Sequence, residues 1–277
     1  MILLNKKEYH KVLKPLQQVE INHLFADAVA LGHVNGQIYV DNTNEPTSFY
    51  IEHPYGMALL IGNISNEAFN DWLLSHALNT FKTRNRYEWL QAFPKTWNDK
   101  IATAWATYLV KQKDNTDDGF NSNKIEENTR VNFRFNQATY FELKSRLLLS
   151  DAQVVRTDRQ MFENMQGSVI PKHFWNNTED FCSRAVAFSV MDGEYVACTA
   201  FSAFVVGNQL EIGIETSDNY RGKGYAIATC AALIDYCLEH GYEPVWGCKL
   251  ENTASYLLAQ KLGFEPTVYW PFYRLNN

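Results

Sequence analysis

The run Glu211-Ile212-Gly213-Ile214-Glu215-Thr216-Ser217-Asp218-Asn219-Tyr220-Arg221-Gly222-Lys223-Gly224-Tyr225-Ala226 reads as a strand that ends in a glycine-bearing turn and feeds a helix. Such a turn offers several unpaired backbone N–H groups at the positive end of the helix dipole, which makes it a cradle for an anion. Two glycines let a phosphate approach the backbone closely, and Arg221 and Lys223 add charge-assisted donors, so a pyrophosphate fits better than a single carboxylate. On the glycines alone, a tight helix start without a ligand stays open as an alternative. The run is not a P-loop, since no Gly-Lys-Ser/Thr follows, and its glycine spacing is not that of the dinucleotide fingerprint.

Working outward from this run, residues 185–190, 195–205 and 209–216 form three successive strands joined at Asp192-Gly193 and Gly207-Asn208. Strands in that order pair antiparallel. Downstream, residues 224–238 carry Ile227, Cys230, Ala231, Ile234 and Leu238 on one stripe and stop at Gly241, as a helix covering a sheet would. A buried strand follows at 244–248, then a helix capped by Asn252 and ended by Gly263, and a final aromatic-rich strand at 268–275. Upstream, Thr157-Asp158 caps a short helix and Pro171 starts another. The first half repeats the scheme: strands at 37–40, 48–52 and 57–61, a helix opened at Ser65, a strand at 88–93, a helix from Thr96 and a late strand at 131–135. Residues 111–130 are polar and aperiodic, which predicts a mobile loop.

Composition bounds the function. The chain has 277 residues, 46% hydrophobic and 20% charged, enough for two small domains or one large one. With 25 Lys and Arg against 31 Asp and Glu, the net charge of −6 lacks the basic footprint of a nucleic-acid binder. The 15 basic and 16 acidic residues through Lys144, against 10 and 15 beyond it, put the acidity in the second half, where a cationic substrate would be drawn. No stretch is apolar for the length a membrane span needs and no secretory leader is evident, so a cytoplasmic location is expected. The five cysteines are expected as buried free thiols, and the seven histidines show no ligand spacing, so no metal site is expected.

Taken with their context, these residues resemble the GNAT N-acetyltransferase superfamily. Its coenzyme A motif is Arg or Gln, two residues, Gly, one residue, Gly or Ala, and Arg221, Gly224 and Ala226 match it. The run Asn252-Thr253-Ala254-Ser255, closing with Lys261-Leu262-Gly263-Phe264, resembles the second hallmark at its usual distance. The resemblance covers residues 156–275, and a divergent domain placed ahead of it resembles the subgroup that includes zwittermicin A resistance proteins. The implied fold is α/β, a mixed, mostly antiparallel sheet flanked by helices in residues 146–277. A smaller α/β domain in residues 1–145 precedes it, and its parallel element order suggests a degenerate tandem copy of the GNAT-like domain.

The resemblance implies that backbone N–H groups of Gly222, Lys223, Gly224, Tyr225 and Ala226 hold the pyrophosphate of acetyl-CoA. It also implies that the strand end at Ile214 to Thr216 pairs with the pantetheine amides, and that Asn252 and Ser255 contact the pantetheine arm. Asn252 equally suits a plain helix cap. Acetyl transfer to a small, cationic amine then needs a base, oxyanion donors and a proton donor for the thiolate. Strand alternation puts Glu211, Gly213 and Glu215 on one face, with room for a cleft over the glycine. Either Glu could be base or could bind an ammonium, with Glu211 favoured as base because it lies deeper. The Tyr that protonates the thiolate in many members is replaced by Ala259, which leaves Tyr256, Tyr225 or water as substitutes.

Two readings follow: an acetyl-CoA-dependent N-acetyltransferase, or a catalytically impaired coenzyme A-binding or regulatory protein of the same fold. The corresponding turn of the first domain, Gly62-Asn63-Ile64-Ser65-Asn66-Glu67, has one glycine and an acidic residue, so it is not expected to bind coenzyme A. Its domain is expected either to wall the substrate cleft or to form a homodimer contact.

Overall fold

A computed structural model describes residues 1–111, 124–145 and 152–276. In chain order these form β1 (Ile2–Leu3), α1 (His10–Leu16), α2 (Leu24–Ala30), β2 (Gln37–Val40), β3 (Ser48–His53), β4 (Met57–Gly62), α3 (Glu67–Ala77), β5 (Glu88–Phe93), α4 (Lys95–Ala104) and β6 (Leu109–Lys111). There follow β7 (Ile125–Phe135), α5 (Gln137–Lys144), β8 (Val154–Arg156), α6 (Arg159–Asn164), α7 (Thr178–Arg184), β9 (Ala187–Asp192), β10 (Tyr195–Val206) and β11 (Gln209–Thr216). The chain closes with α8 (Tyr225–Glu239), β12 (Glu243–Lys249), α9 (Thr253–Lys261) and β13 (Phe264–Leu275). The result is a mixed α/β fold with mostly antiparallel pairing. Among the described residues, no helix is long and apolar enough to cross a membrane.

The chain divides into two compact units. Unit 1 holds Met1–Arg130, Lys249–Glu251 and Val268–Asn277, and unit 2 holds Val131–Cys248 and Asn252–Thr267. The change of unit therefore falls inside β7, ahead of the 145/146 boundary read from the sequence. Residues 112–123 of the expected loop lie outside the described residues. Its last residues are strand, because Ile125, Glu126 and Asn128 are buried within β7 and Ile125 pairs with Leu109.

In unit 1 the strands run β1-β2-β3-β4-β5-β13, antiparallel except for the parallel β4–β5 pair that α3 connects, and off this path β6 pairs parallel with the start of β7. Its core gathers Tyr50, Leu60, Phe69, Leu73, Leu90, Trp97, Ile101 and Tyr273. The aromatic tail expected to close the second domain contributes here: Tyr273 pairs with Leu90, Phe272 stacks on Trp89 at 4.7 Å, and Trp270 Nε1 donates to Ala92 O at 2.8 Å.

Unit 2 repeats the plan. Its strands run β8-β9-β10-β11-β12, antiparallel except for the parallel β11–β12 pair that α8 connects. Beyond β12 comes β7, whose residues from Val131 onward lie in this unit. The two units share one strand order, and in unit 1 the strand beside β5, β13, comes from the far end of the chain. α8 packs the stripe seen in the sequence: Cys230, Ala231 and Ile234 are fully buried against Leu210, Ile212, Trp246 and Phe264, with Ile227 and Leu238 at the rim. Four of the cysteines, Cys198, Cys230, Cys237 and Cys248, are buried free thiols, while Cys182 on α7 is exposed.

Candidate active site

The site is built where β11 meets α8. The parallel pairing of β11 with β12 covers Gln209↔Glu243, Leu210↔Pro244 and Glu211↔Val245 and ends there. On its other side β11 stays paired with β10 as far as Thr216, which faces Cys198. From Ile212 onward, then, the edge of β11 that faces β12 carries backbone groups with no ladder partner, and the two strands splay. A polar backbone edge of this kind needs an acceptor or donor from elsewhere.

The chain leaves β11 through a 3-10 turn at Asp218–Tyr220 and enters α8 by way of two left-handed glycines, Gly222 and Gly224, both at φ 78°. That backbone region costs an L-residue roughly 1–2 kcal/mol, so glycine is needed at both positions. Gly224 is the N-cap residue and brings no side chain, so no side-chain bond closes the first turn of α8. Space above Gly222 is open, with nothing within 4 Å of where a Cβ would stand. Arg221, Gly222 and Lys223 are exposed, and Tyr225 and Ala226 are half-buried. The residues present therefore fit a diphosphate.

Side chains around the turn are already organised. Arg221 pairs with Asp218 at 2.8 Å, and the Lys223 ammonium stands 4.8 Å from the centre of the Tyr220 ring. Tyr220 stacks near Tyr225 and donates to Asp192 Oδ2 at 2.8 Å, and that hydrogen bond raises its pKa. Behind the turn, Cys198 Sγ lies 3.1 Å from Thr216 Oγ1 and 3.4 Å from Thr229 Oγ1. Burial pushes this thiol up despite both hydroxyls, which keeps it protonated and inert.

The acidic face differs from expectation. The space over Gly213 is not a cleft: Phe201, its cross-strand partner, lays its ring there, so that a Cβ at residue 213 would come within 2.4 Å of Phe201 Cζ. Phe201 in turn packs on Phe174 at 5.3 Å. Strand register, invisible in the sequence, sets this contact. Glu211 and Glu215 flank the ring. Glu211 is only 5% exposed. Glu215 Oε2 accepts the backbone N–H of Val169 at 2.7 Å and lies 3.5 Å from Ser168 Oγ, so this carboxylate ties down the 167–170 turn.

The second hallmark forms α9 as read. Asn252 accepts from Ser255 N at 3.2 Å and caps the helix, with Ser255 half-buried one turn in. Tyr256 meets Phe133 edge-on at 5.4 Å, an aromatic packing contact. Ala259 is 0% exposed in the core of unit 2. Ile214 and Thr216, the remaining positions read from the sequence, sit on the splayed end of β11.

Unit 1 carries the same elements without the site. Its parallel pair β4–β5 stays zipped over five residue pairs, from Met57↔Trp89 to Ile61↔Phe93. The matching helix α3 is closed by its own cap, with Asn66 Oδ1 accepting from Phe69 N at 3.1 Å. Neither a splay nor an open helix start is present there.

Comparison with known proteins agrees with this geometry. The family model of the GNAT acetyltransferases matches residues 14–273. The chain is similar to the uncharacterized N-acetyltransferase YdfB of Bacillus subtilis (strain 168), 26% identical over 273 residues, 98% of this chain and 97% of that one. Among solved structures it resembles a GCN5-related N-acetyltransferase-like protein from Streptococcus suis 89/1591, with TM-score 0.70, 21% identity and coverage of 96% and 98% of the two chains. It also shares the fold of a tandem GNAT protein from the clavulanic acid biosynthesis pathway, with TM-score 0.59, 10% identity and coverage of 99% and 97%. The family match spans both units and almost the whole chain: this protein belongs to the GNAT acetyltransferase family.

Proposed function

We propose that the β11–α8 turn of unit 2 holds acetyl-CoA and that the protein transfers the acetyl group to a small, cationic amine. The observation that carries this reading is the coincidence of an uncapped, glycine-started α8 with the point where β11 parts from β12. Main-chain N–H groups from Gly222 to Ala226 would hold the diphosphate, with Arg221 and Lys223 as charged donors. The free edge of β11 at Ile214 and Thr216 would pair with the pantetheine amides, while Asn252 and Ser255 flank the arm. Bound there, acetyl-CoA supplies an acyl group activated as a thioester.

The chain's own residues then manage protons. Glu211 is the base for the proton that the amine nitrogen loses, directly or through water, because it lies deeper from the end of β11 than Glu215 does. A backbone N–H near Ile214 or Glu215 suits the oxyanion. Tyr225 and Tyr256 are the candidate donors for the leaving thiolate, which as an ordinary thiol also departs unassisted. The acidic balance of the second half favours a positively charged acceptor. Five free thiols suit a reducing compartment, so we place the protein in the cytoplasm. The shared strand order of the two units supports a tandem origin and membership of the two-domain subgroup that resembles zwittermicin A resistance proteins.

Buried Ala259 favours a second reading, a coenzyme A-binding protein with impaired turnover. Thiol release from acetyl-CoA across a panel of primary amines decides between them. Amine-dependent release that falls steeply in Glu211→Gln supports the enzyme; tight binding of acetyl-CoA with no release on any amine supports the alternative.

A further inference from the structure

Away from this site, three side chains from separate elements of unit 1 converge: Glu52 on β3, His76 on α3 and Glu88 on β5. An imidazole nitrogen and two carboxylate oxygens, one atom from each residue, all lie within 4.8 Å of one another. No spacing signals the trio in the sequence, because sheet register and the α3 crossover bring it together.

Its surroundings hold the trio in place. Glu88 Oε2 accepts the Tyr50 hydroxyl at 2.6 Å and stands 2.9 Å from His76 Nε2. The His76 ring stacks on Trp72 at 4.8 Å and 19°, and meets Tyr50 edge-on at 5.0 Å. Glu88 is buried, whereas Glu52 lines a cavity of about 670 Å³ together with Lys6, Tyr9, Asn35 and Arg86. Arg84 Nε lies 4.0 Å from Glu88 Oε1, and its other nitrogens donate to the backbone carbonyls of His76, Ala77 and Asn276.

We propose that Glu52, His76 and Glu88 form a binding site for a first-row divalent metal ion, open to the neighbouring cavity through Glu52. Two carboxylate oxygens with one imidazole nitrogen and no thiolate suit Mn²⁺, Fe²⁺, Co²⁺ or Zn²⁺. The Tyr50 bond to Glu88 and the stacked His76 ring are the outer contacts that orient such ligands. Three protein ligands leave a position for water or a small anion from the cavity, beside Lys6 and Arg86.

Cobalt(II) titration of the full-length, metal-stripped protein, followed by visible absorption and by thermal unfolding, tests the assignment. Saturable d–d absorption without a thiolate charge-transfer band is expected, together with a rise in Tm that tracks cobalt occupancy. Glu52→Gln is expected to bind at least about tenfold more weakly, while Glu52→Asp keeps part of the affinity. No saturable uptake by the folded wild-type chain, a thiolate-type spectrum, or equal affinity in wild type and Glu52→Gln would overturn the proposal.

Discussion

Glu215 Oε2 accepts the backbone N–H of Val169 at 2.7 Å, so a carboxylate at the end of the central strand fastens the turn that crosses it. A hydrogen bond to a charged acceptor in a partly exposed setting contributes on the order of 1–2 kcal/mol. Glu215→Ala is expected to destabilise unit 2 by about that amount and to speed hydrogen exchange at the Val169 amide. Glu215→Gln keeps an acceptor, so turnover should survive it largely intact; complete loss of amine-dependent turnover in Glu215→Gln would reassign the base from Glu211 to Glu215.

The Phe201 ring over Gly213 makes a second, independent prediction. Gly213→Ala places a methyl group within 2.4 Å of a fully buried ring, and such overpacking costs typically 1–3 kcal/mol. Urea denaturation should show a lower midpoint at unchanged slope, with partial recovery when Phe201→Leu is added. Full stability of Gly213→Ala alone would mean that the ring moves freely off the strand.

Much of unit 2 was legible in the sequence because its signals are local. The stripe of α8, the Asn252 cap, the hairpin turns and the two glycines ahead of Tyr225 each depend on neighbours along the chain. What the sequence could not carry is register and exchange. Phe201 reaches Gly213 only because of a cross-strand pairing, and Val169 reaches Glu215 through a loop. The late strand β13 lends its far half to unit 1 although its pattern fits a closing strand of the second domain. The polar face of β7 at Asn128 and Glu126 hid a strand inside what composition marks as loop, since both are buried with Ile125 rather than solvated.

Asp41 provides a prediction in pH. Burial pushes its carboxyl up, but bonds from the Thr47 hydroxyl, the Ser48 and Thr47 backbone N–H groups and Asn66 outweigh it and hold the group below the ordinary carboxylate range. A depressed folded-state pKa contributes stability above the unfolded value, about 3.9, and loses it as pH falls through the folded value. Wild type should therefore exceed Asp41→Asn in urea midpoint at neutral pH, and the gap should narrow below about pH 4. A gap that widens in acid would contradict the assignment.

Asn66 caps α3 and Asn252 caps α9, and capping substitutions test the role proposed for Asn252. Asn66→Ala removes the cap of α3 and should cost roughly 1 kcal/mol of stability without changing affinity for coenzyme A. Asn252→Ala should cost a similar amount through α9 and also weaken coenzyme A binding. An affinity loss in Asn66→Ala instead would place the nucleotide in unit 1.

Calorimetric titration of the intact chain with coenzyme A, repeated on Gly224→Val, addresses the main claim most directly. A β-branched residue at φ 78° cannot hold the helix start as it stands, so the account predicts saturable heat in the wild type and affinity at least about tenfold weaker in the variant. Absence of binding heat in the wild type, or equal affinity in Gly224→Val, would contradict it.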